Sequence, residues 1–222
     1  RFLRHLEIRG GRVIFDVHSA LAHLISNVEG VSEVVSGAGT VMPAYDFHMP
    51  LLSLPIRLNI EIEKLFDQTP YIVPPKGARS AIEAANKTER NIGIVWAGNA
   101  THPNDHNRSC PLSRLIPLFE VPRTTWFSLQ VGTGVADIKR WKTPLQDLSA
   151  QLNDFTVTAA TVADLDLVIT VDTAVAHLAG AMGTPVWVLL PYSPDWRWMT
   201  SRDDSPWYPS ATLFRQPKAG DW

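Results

Sequence analysis

Cysteine is all but absent: Cys110 stands alone in 222 residues. No disulfide can close within the chain, which fits a reducing compartment and makes a cytoplasmic setting the expectation. An excess of charge of either sign is missing too. The 20 Lys and Arg face 22 Asp and Glu, for a net charge of -2. No global basic field exists to hold nucleic acid. No apolar run approaches the ~20 residues that cross a bilayer, so no transmembrane segment is expected. The opening Arg1-Phe2-Leu3-Arg4-His5-Leu6 lacks the long apolar stretch of a signal peptide. It also lacks an initiator Met and reads like the middle of a helix, so the chain is expected to be cut from something longer. Neither a Gly-x-Ser-x-Gly elbow nor a Walker A loop occurs. Gly37-Ala38-Gly39-Thr40 has no third glycine and no following helix, which excludes a dinucleotide fingerprint.

What is present is ordinary globular material, 45% hydrophobic and 19% charged. It suffices for a sizeable core and one or two domains. Residues 12–17 read as a buried strand after the Gly10-Gly11 turn, residues 19–27 as a helix, and Val34-Val35 as a short strand. Tyr71-Ile72-Val73 reads as a further short strand. Pro74-Pro75-Lys76-Gly77 is the best linker candidate, because prolines and glycine end regular structure. A helix over 78–87 is predicted next. The βα rhythm is then clearer: strands at 92–96, 126–129, 167–171 and 186–190, and helices at 157–165 and 174–182. Leu112–Phe119 has helix-like spacing interrupted by Pro117. The last ~30 residues, rich in Trp, Pro and Asp, read as ordered loops. This pattern predicts parallel sheets of βαβ units. Ligands of such sheets bind beyond the carboxyl ends of the strands, so residues just after each strand are the informative ones.

Four such places stand out. After the strand ending at Val171, Asp172-Thr173-Ala174 opens a small-residue helix whose amino end offers free N–H groups and partial positive charge, a workable diphosphate site. Asp172 or Thr173 could equally do no more than cap the helix, and His177 could face a ligand or sit in the core. Gly98-Asn99, followed by Asn107-Arg108-Ser109, offers close backbone approach and a guanidinium suited to phosphate, or an ordinary turn with a solvated Arg. Gln130 could read a base or sugar edge, or pair with backbone. The stretch Pro191–Trp198, with Asp204–Tyr208, sets indoles beside Asp and Arg, as a sugar or base platform would, or packs on itself. Asp164-Leu165-Asp166 precedes a strand, on the edge away from the ligand, and reads as turn carboxylates. His102, Asp105 and His106 have metal-like spacing in a polar loop, but no metal site is expected there.

Together, Ile94–Asn99, Asn107–Ser109, Ser128–Gln130, Val171–Gly180 and Pro191–Trp198 resemble the glycosyltransferase domain found behind tetratricopeptide repeats in bacterial proteins. That domain is similar to the heptosyltransferases (glycosyltransferase family nine) and more distantly to the O-linked N-acetylglucosamine transferases. The likeness covers nearly the whole chain, including Asp46–Pro55. It implies the GT-B fold: two Rossmann-like domains with parallel sheets facing a cleft. Residues 1–76 would be an acceptor-side domain lacking its first strand, and residues 77–222 the nucleotide-sugar domain. It implies an inverting, metal-independent transfer from a nucleotide-diphosphate sugar, with no other cofactor, to a glycan, lipid-linked or protein acceptor, with tetratricopeptide repeats upstream. The resemblance carries donor binding to Gly98, Asn99, Arg108, Gln130, Asp172, Thr173, Ala174 and His177. Here Ala174 replaces a glycine, and Val131 replaces a Lys that could touch phosphate. In heptosyltransferases the candidate general base precedes the position of Arg1; within this chain Asp46, His48 and His18 are the candidates. Two other readings stay open: a catalytically degenerate nucleotide- or sugar-binding scaffold, and a nucleotide-sugar 2-epimerase.

Overall fold

Two largely apolar runs, residues 92–96 and 167–171, make the middle of the molecule. Residues of this kind are hidden on both faces of a parallel sheet, which is why they lack the alternation of a half-exposed strand. A computed structural model of the chain describes residues 1–37, 39–61, 69–83 and 88–222. In it, β1 (Ile14–Val17) and β2 (Glu33–Ser36) pair in parallel as a two-stranded sheet. The main sheet holds β3 (Arg90–Val95), β4 (Thr124–Ser128), β5 (Gln146–Asp147), β6 (Leu167–Val171), β7 (Val186–Leu190) and β8 (Ala211–Arg215). All its pairings are parallel, in the order β5-β4-β3-β6-β7-β8.

That order places the first strand of the series in the middle. The chain moves outward through β4 and β5, then crosses back to build β6, β7 and β8 on the other side. The reversal falls between β3 and β6, whose register pairs Val95 with Thr170. Loops leaving these two strands diverge, and a crevice opens at such a switch point.

Period-two alternation sorts the side chains to two faces. Ile92, Ile94, Trp96, Trp126, Ile169 and Val171 meet Leu112, Leu115 and Ile138 on one face. Val95, Phe127, Val168, Val186 and Val188 meet α6 (Phe155–Ala163) and α7 (Ala174–Met182) on the other. Asp154 caps α6, accepting from the Thr156 and Val157 amides at 2.6 and 2.9 Å. Gly183, at φ 75°, ends α7 as a left-handed cap. On β7 and β8, Trp187 and Phe214 stay partly exposed with ring centroids 5.3 Å apart.

The N-terminal strands carry a small core of their own around Leu3, Val13 and Leu54. The helix α2 (Ala22–Ile25) packs on α6, and Leu24, 1% exposed, enters the main core. His23 Nδ1 lies 3.3 Å from Thr156 Oγ1 at the same contact. The described residues thus form a six-stranded parallel α/β sheet and a separate, short two-stranded N-terminal sheet.

Several expectations need correction. Tyr71–Val73 is not a strand; the Tyr71 and Ile72 amides both donate to the Ala181 carbonyl, at 3.0 and 3.3 Å, pinning the segment to the end of α7. The predicted helix over 78–87 is absent from its described part, 78–83, and 84–87 lie outside the described residues. There the amides of Ala81 and Ile82 are taken by Thr161 and Ser80 hydroxyls, at 2.9 and 3.1 Å, instead of a helical ladder. Leu112–Phe119 forms two 3-10 turns, Leu112–Arg114 and Ile116–Glu120, because Pro117 lacks the donor an α-helix needs. The C-terminal loops include β8, an edge strand whose alternating exposure hid it. Asp166 is more than a solvated carboxylate: its Oδ2 accepts from the Asn91 amide at 2.7 Å, tying the starts of β3 and β6 together.

Leu24→Ala should cost about 2–5 kcal/mol, the range for emptying a packed aliphatic site. Urea denaturation would measure it. A loss below about 1 kcal/mol would contradict the docking of α2 on the main core.

Candidate functional site

Between the loop after β3 and the start of α7 lies a pocket of about 230 Å³, lined by His102, Asn104, Arg108, Asp172, Pro191, Ser193, Pro194 and Asp195. It sits at the switch point. The sequence reading brought Arg108 and Asp172 to one site, and the structure joins them directly: Arg108 Nη1 donates to the Asp172 carbonyl at 3.3 Å. The guanidinium comes from α4 (Asp105–Arg108), a single turn. It pairs within that turn with Asp105, Nε to Oδ1, at 3.3 Å, both side chains 18% exposed.

Gly98 makes this arrangement sterically feasible, though not by letting a ligand approach. A Cβ at Gly98 would fall 2.7 and 2.9 Å from Arg108 Nη2 and Nε, and against Asp105 Oδ1. Its missing side chain is the space that the Asp105–Arg108 pair fills. The Gly98 amide donates to Ser109 Oγ at 2.9 Å, and Ser109 Oγ donates to Asp105 at 3.1 Å, so the whole turn is one network. Asn99 is exposed and holds its own loop, accepting from the Thr101 amide and hydroxyl at 3.0 Å each.

Gln130 also departs from a ligand-reading role. Its side chain is 2% exposed. Oε1 accepts from the Trp96 and Ala97 amides at 3.2 and 2.9 Å, while Nε2 donates to the Ala97 and Val131 carbonyls at 3.1 and 2.8 Å. Every polar atom of the amide is spent on backbone, clipping the exits of β3 and β4 together. Its contribution to the site is the position of the loop that carries Gly98.

At the other wall, α7 begins without a side-chain cap from Thr173. The Thr173 hydroxyl instead lies 3.0 Å from that of Thr170. Ala174 is exposed beside it. The leading amides of α7 thus lack the side-chain cap that Asp154 gives α6, and the Ala176 amide donates to the Thr173 carbonyl at 3.1 Å.

His177 stands one turn further on and does not line the pocket. Its Nδ1 is 3.0 Å from Tyr208 Oη, and its ring stacks on Trp198 at 5.1 Å and 14°. Its Nε2 is 3.8 Å from Asp172 Oδ1. Burial holds the imidazole below its usual 6.5, while Asp172 pulls it upward.

The candidate bases lie elsewhere. Asp46 and His48 are exposed, His48 edge-on to Tyr45 at 5.8 Å. His18 is exposed and caps the 3-10 turn after β1, accepting from the Ala20 amide at 3.3 Å. None of the three lines the pocket. Sequence reasoning did not assign Asp195, Ser193 and Pro194 individually, although it marked their loop; Asp195 Oδ1 accepts from the Arg197 amide and Nη1 at 3.0 and 2.8 Å. Of the indoles, Trp198 is buried and Trp196 is exposed under the Arg197 guanidinium, 4.7 Å from ring centre. His102 Nδ1 accepts from the Asn104 amide at 3.1 Å. Among the described residues no group of three or more His, Cys, Asp or Glu is placed to hold a metal ion.

Residues 140–220 match the family model Glycosyltransferase family 9 (heptosyltransferase). The chain is also 30% identical, over 140 residues, to Protein FlbA of Caulobacter vibrioides, across 59% of this chain and 23% of that protein. Among solved structures, the glycosyl transferase family 9 from Veillonella parvula DSM 2008 resembles it with a TM-score of 0.45 at 16% identity, over 59% of this chain and 36% of that one. The chain therefore spans under a quarter of its curated relative. The family match supports a glycosyltransferase-like function. It takes in β6, α7, β7 and the Pro191–Asp195 loop, and leaves the Arg108 wall outside.

The depressed imidazole makes a prediction with a definite sign. An unfolded chain takes up a proton below about 6.5 that folded His177 refuses. Stability present above 6.5 should be lost as pH falls toward the folded value. Urea midpoints at about pH 7 and about pH 5.5 should fall further apart for the native chain than for His177→Gln. Equal differences would contradict the shift.

Proposed function

We propose that the chain is the donor-binding part of a nucleotide-sugar-dependent glycosyltransferase, acting by inversion and without a metal. The contact between Arg108 and the carbonyl of Asp172 carries the reading, because it sets a guanidinium at the uncapped amino end of α7. Transfer leaves a nucleoside diphosphate, and stabilising that leaving charge is the main electrostatic task. Arg108, the first amides of α7 and the Thr173 hydroxyl are its agents. Gly98 and Gln130 serve by holding the Arg108 wall, and His177 by its approach to Asp172. The residues up to 76, with β1 and β2, would be the acceptor side. Asp46, His48 and His18 lie outside the pocket, so none of them is assigned the acceptor's proton. The acceptor is a glycan, lipid or protein, and tetratricopeptide repeats would precede the domain in the parent protein. Among the described residues no helix is long and apolar enough to cross a membrane. The single cysteine, Cys110, is buried, and burial pushes its thiol up to about 12.

One observation favours a second reading. Arg108 already pairs with Asp105, and the pocket also presents Asp172 and Asp195. Carboxylates oppose phosphate and accept from sugar hydroxyls, as a catalytically degenerate, sugar-binding scaffold would require.

Calorimetry with UDP, ADP, GDP and CDP separates the two. The first reading expects one of them to bind, and Arg108→Ala to weaken it roughly tenfold or more, the effect of losing a charged hydrogen bond. Thr173→Val should weaken it several-fold. Absence of binding to every member by a folded sample would overturn the first reading.

A further inference from the structure

We propose that Tyr208, through His177, is the positioning residue that orients Asp172 at the pocket; its place in donor binding rests on the function proposed above. The three groups form a line. Tyr208 Oη meets His177 Nδ1 at 3.0 Å, and His177 Nε2 faces Asp172 Oδ1 at 3.8 Å. Asp172 alone of the three lines the pocket. If Tyr208 donates to Nδ1, the ring proton sits on Nε2, the nitrogen that faces the carboxylate across 3.8 Å, longer than a direct hydrogen bond. A fixed partner at one nitrogen of an imidazole sets what the other can do.

The surroundings hold this line in place from three sides. Trp198, 1% exposed, stacks flat on the imidazole and blocks rotation about its ring axis. The turn carrying Trp198 is fastened by Arg215 at the end of β8, whose Nε and Nη1 donate to the Arg202 and Met199 carbonyls at 2.9 and 3.0 Å, with Nη2 on the Trp198 carbonyl. Gly180 supplies the room. A Cβ there would fall 2.6 and 2.8 Å from Tyr208 Cδ1 and Cβ, and against Cγ. Glycine inside a helix costs roughly 1 kcal/mol relative to alanine. Gly180 is in the middle of α7 because the Tyr208 ring occupies the place of its side chain.

The test uses the intact chain and Tyr208→Phe, which keeps the ring and removes the hydroxyl. Nitrogen-15 spectra of the imidazole read the proton's place on the ring directly. The native chain should show His177 in one tautomer across neutral pH. Tyr208→Phe should show averaged tautomers and a shifted titration, with nucleoside diphosphate affinity lowered about three- to tenfold. Unchanged His177 signals in Tyr208→Phe would overturn the proposal, even if the melting temperature falls. Gly180→Ala, if folded, should reproduce the imidazole change by displacing the Tyr208 ring. If the native chain binds no nucleoside diphosphate while its imidazole responds as described, the function proposed above fails and the positioning of His177 stands.

Discussion

The molecule's functional geometry depends on one hydrogen bond across the opening of a parallel sheet. Strands β3 and β6 are neighbours, yet the chain leaves them in diverging directions. Arg108 spans the gap to the carbonyl of Asp172. The contact is partly buried, where a charged donor counts for more than it would in water. It also fixes where positive charge lies relative to the first turn of α7, whose amides share that polarity. The bridge adds a direct tie between the loop after β3 and the residue that precedes the amino end of α7.

Much of the polar chemistry nearby keeps the bridge in place. Gln130 clips the exits of β3 and β4 through both ends of its amide. Ser109 joins the Gly98 amide to Asp105, and Asp105 steadies the guanidinium. Across the pocket, Tyr208 and Trp198 restrain His177 behind Asp172. These protein–protein contacts fix the side chains around the pocket, Arg108 and Asp195 among them, in place. Such pre-positioning lowers the ordering cost of binding.

The sequence was legible where one physical signal dominated. Elements β6, α7 and β7 appear at the residues expected, because apolar runs flank a small-residue helix stopped by Gly183. The pairing of Arg108 with the opening of α7 was also expected. Other features depended on contacts far apart in the chain. Tyr208 lies 31 residues from His177, and nothing local links them. Gln130 looked like a ligand reader because a polar residue after a strand has two uses, and only its neighbours choose between them. The segment 78–83 has helical composition but loses its amides to distant or local hydroxyls. The two-residue strand β5, Gln146-Asp147, has no apolar signature at all.

The most direct test is backbone and guanidinium nitrogen-15 mapping of the native chain during titration with a bound nucleoside diphosphate. The account predicts that the largest shifts fall on the amides of Thr173 to Ala176 and on Arg108 Nε. Saturable binding that leaves those signals in place and moves others would contradict it.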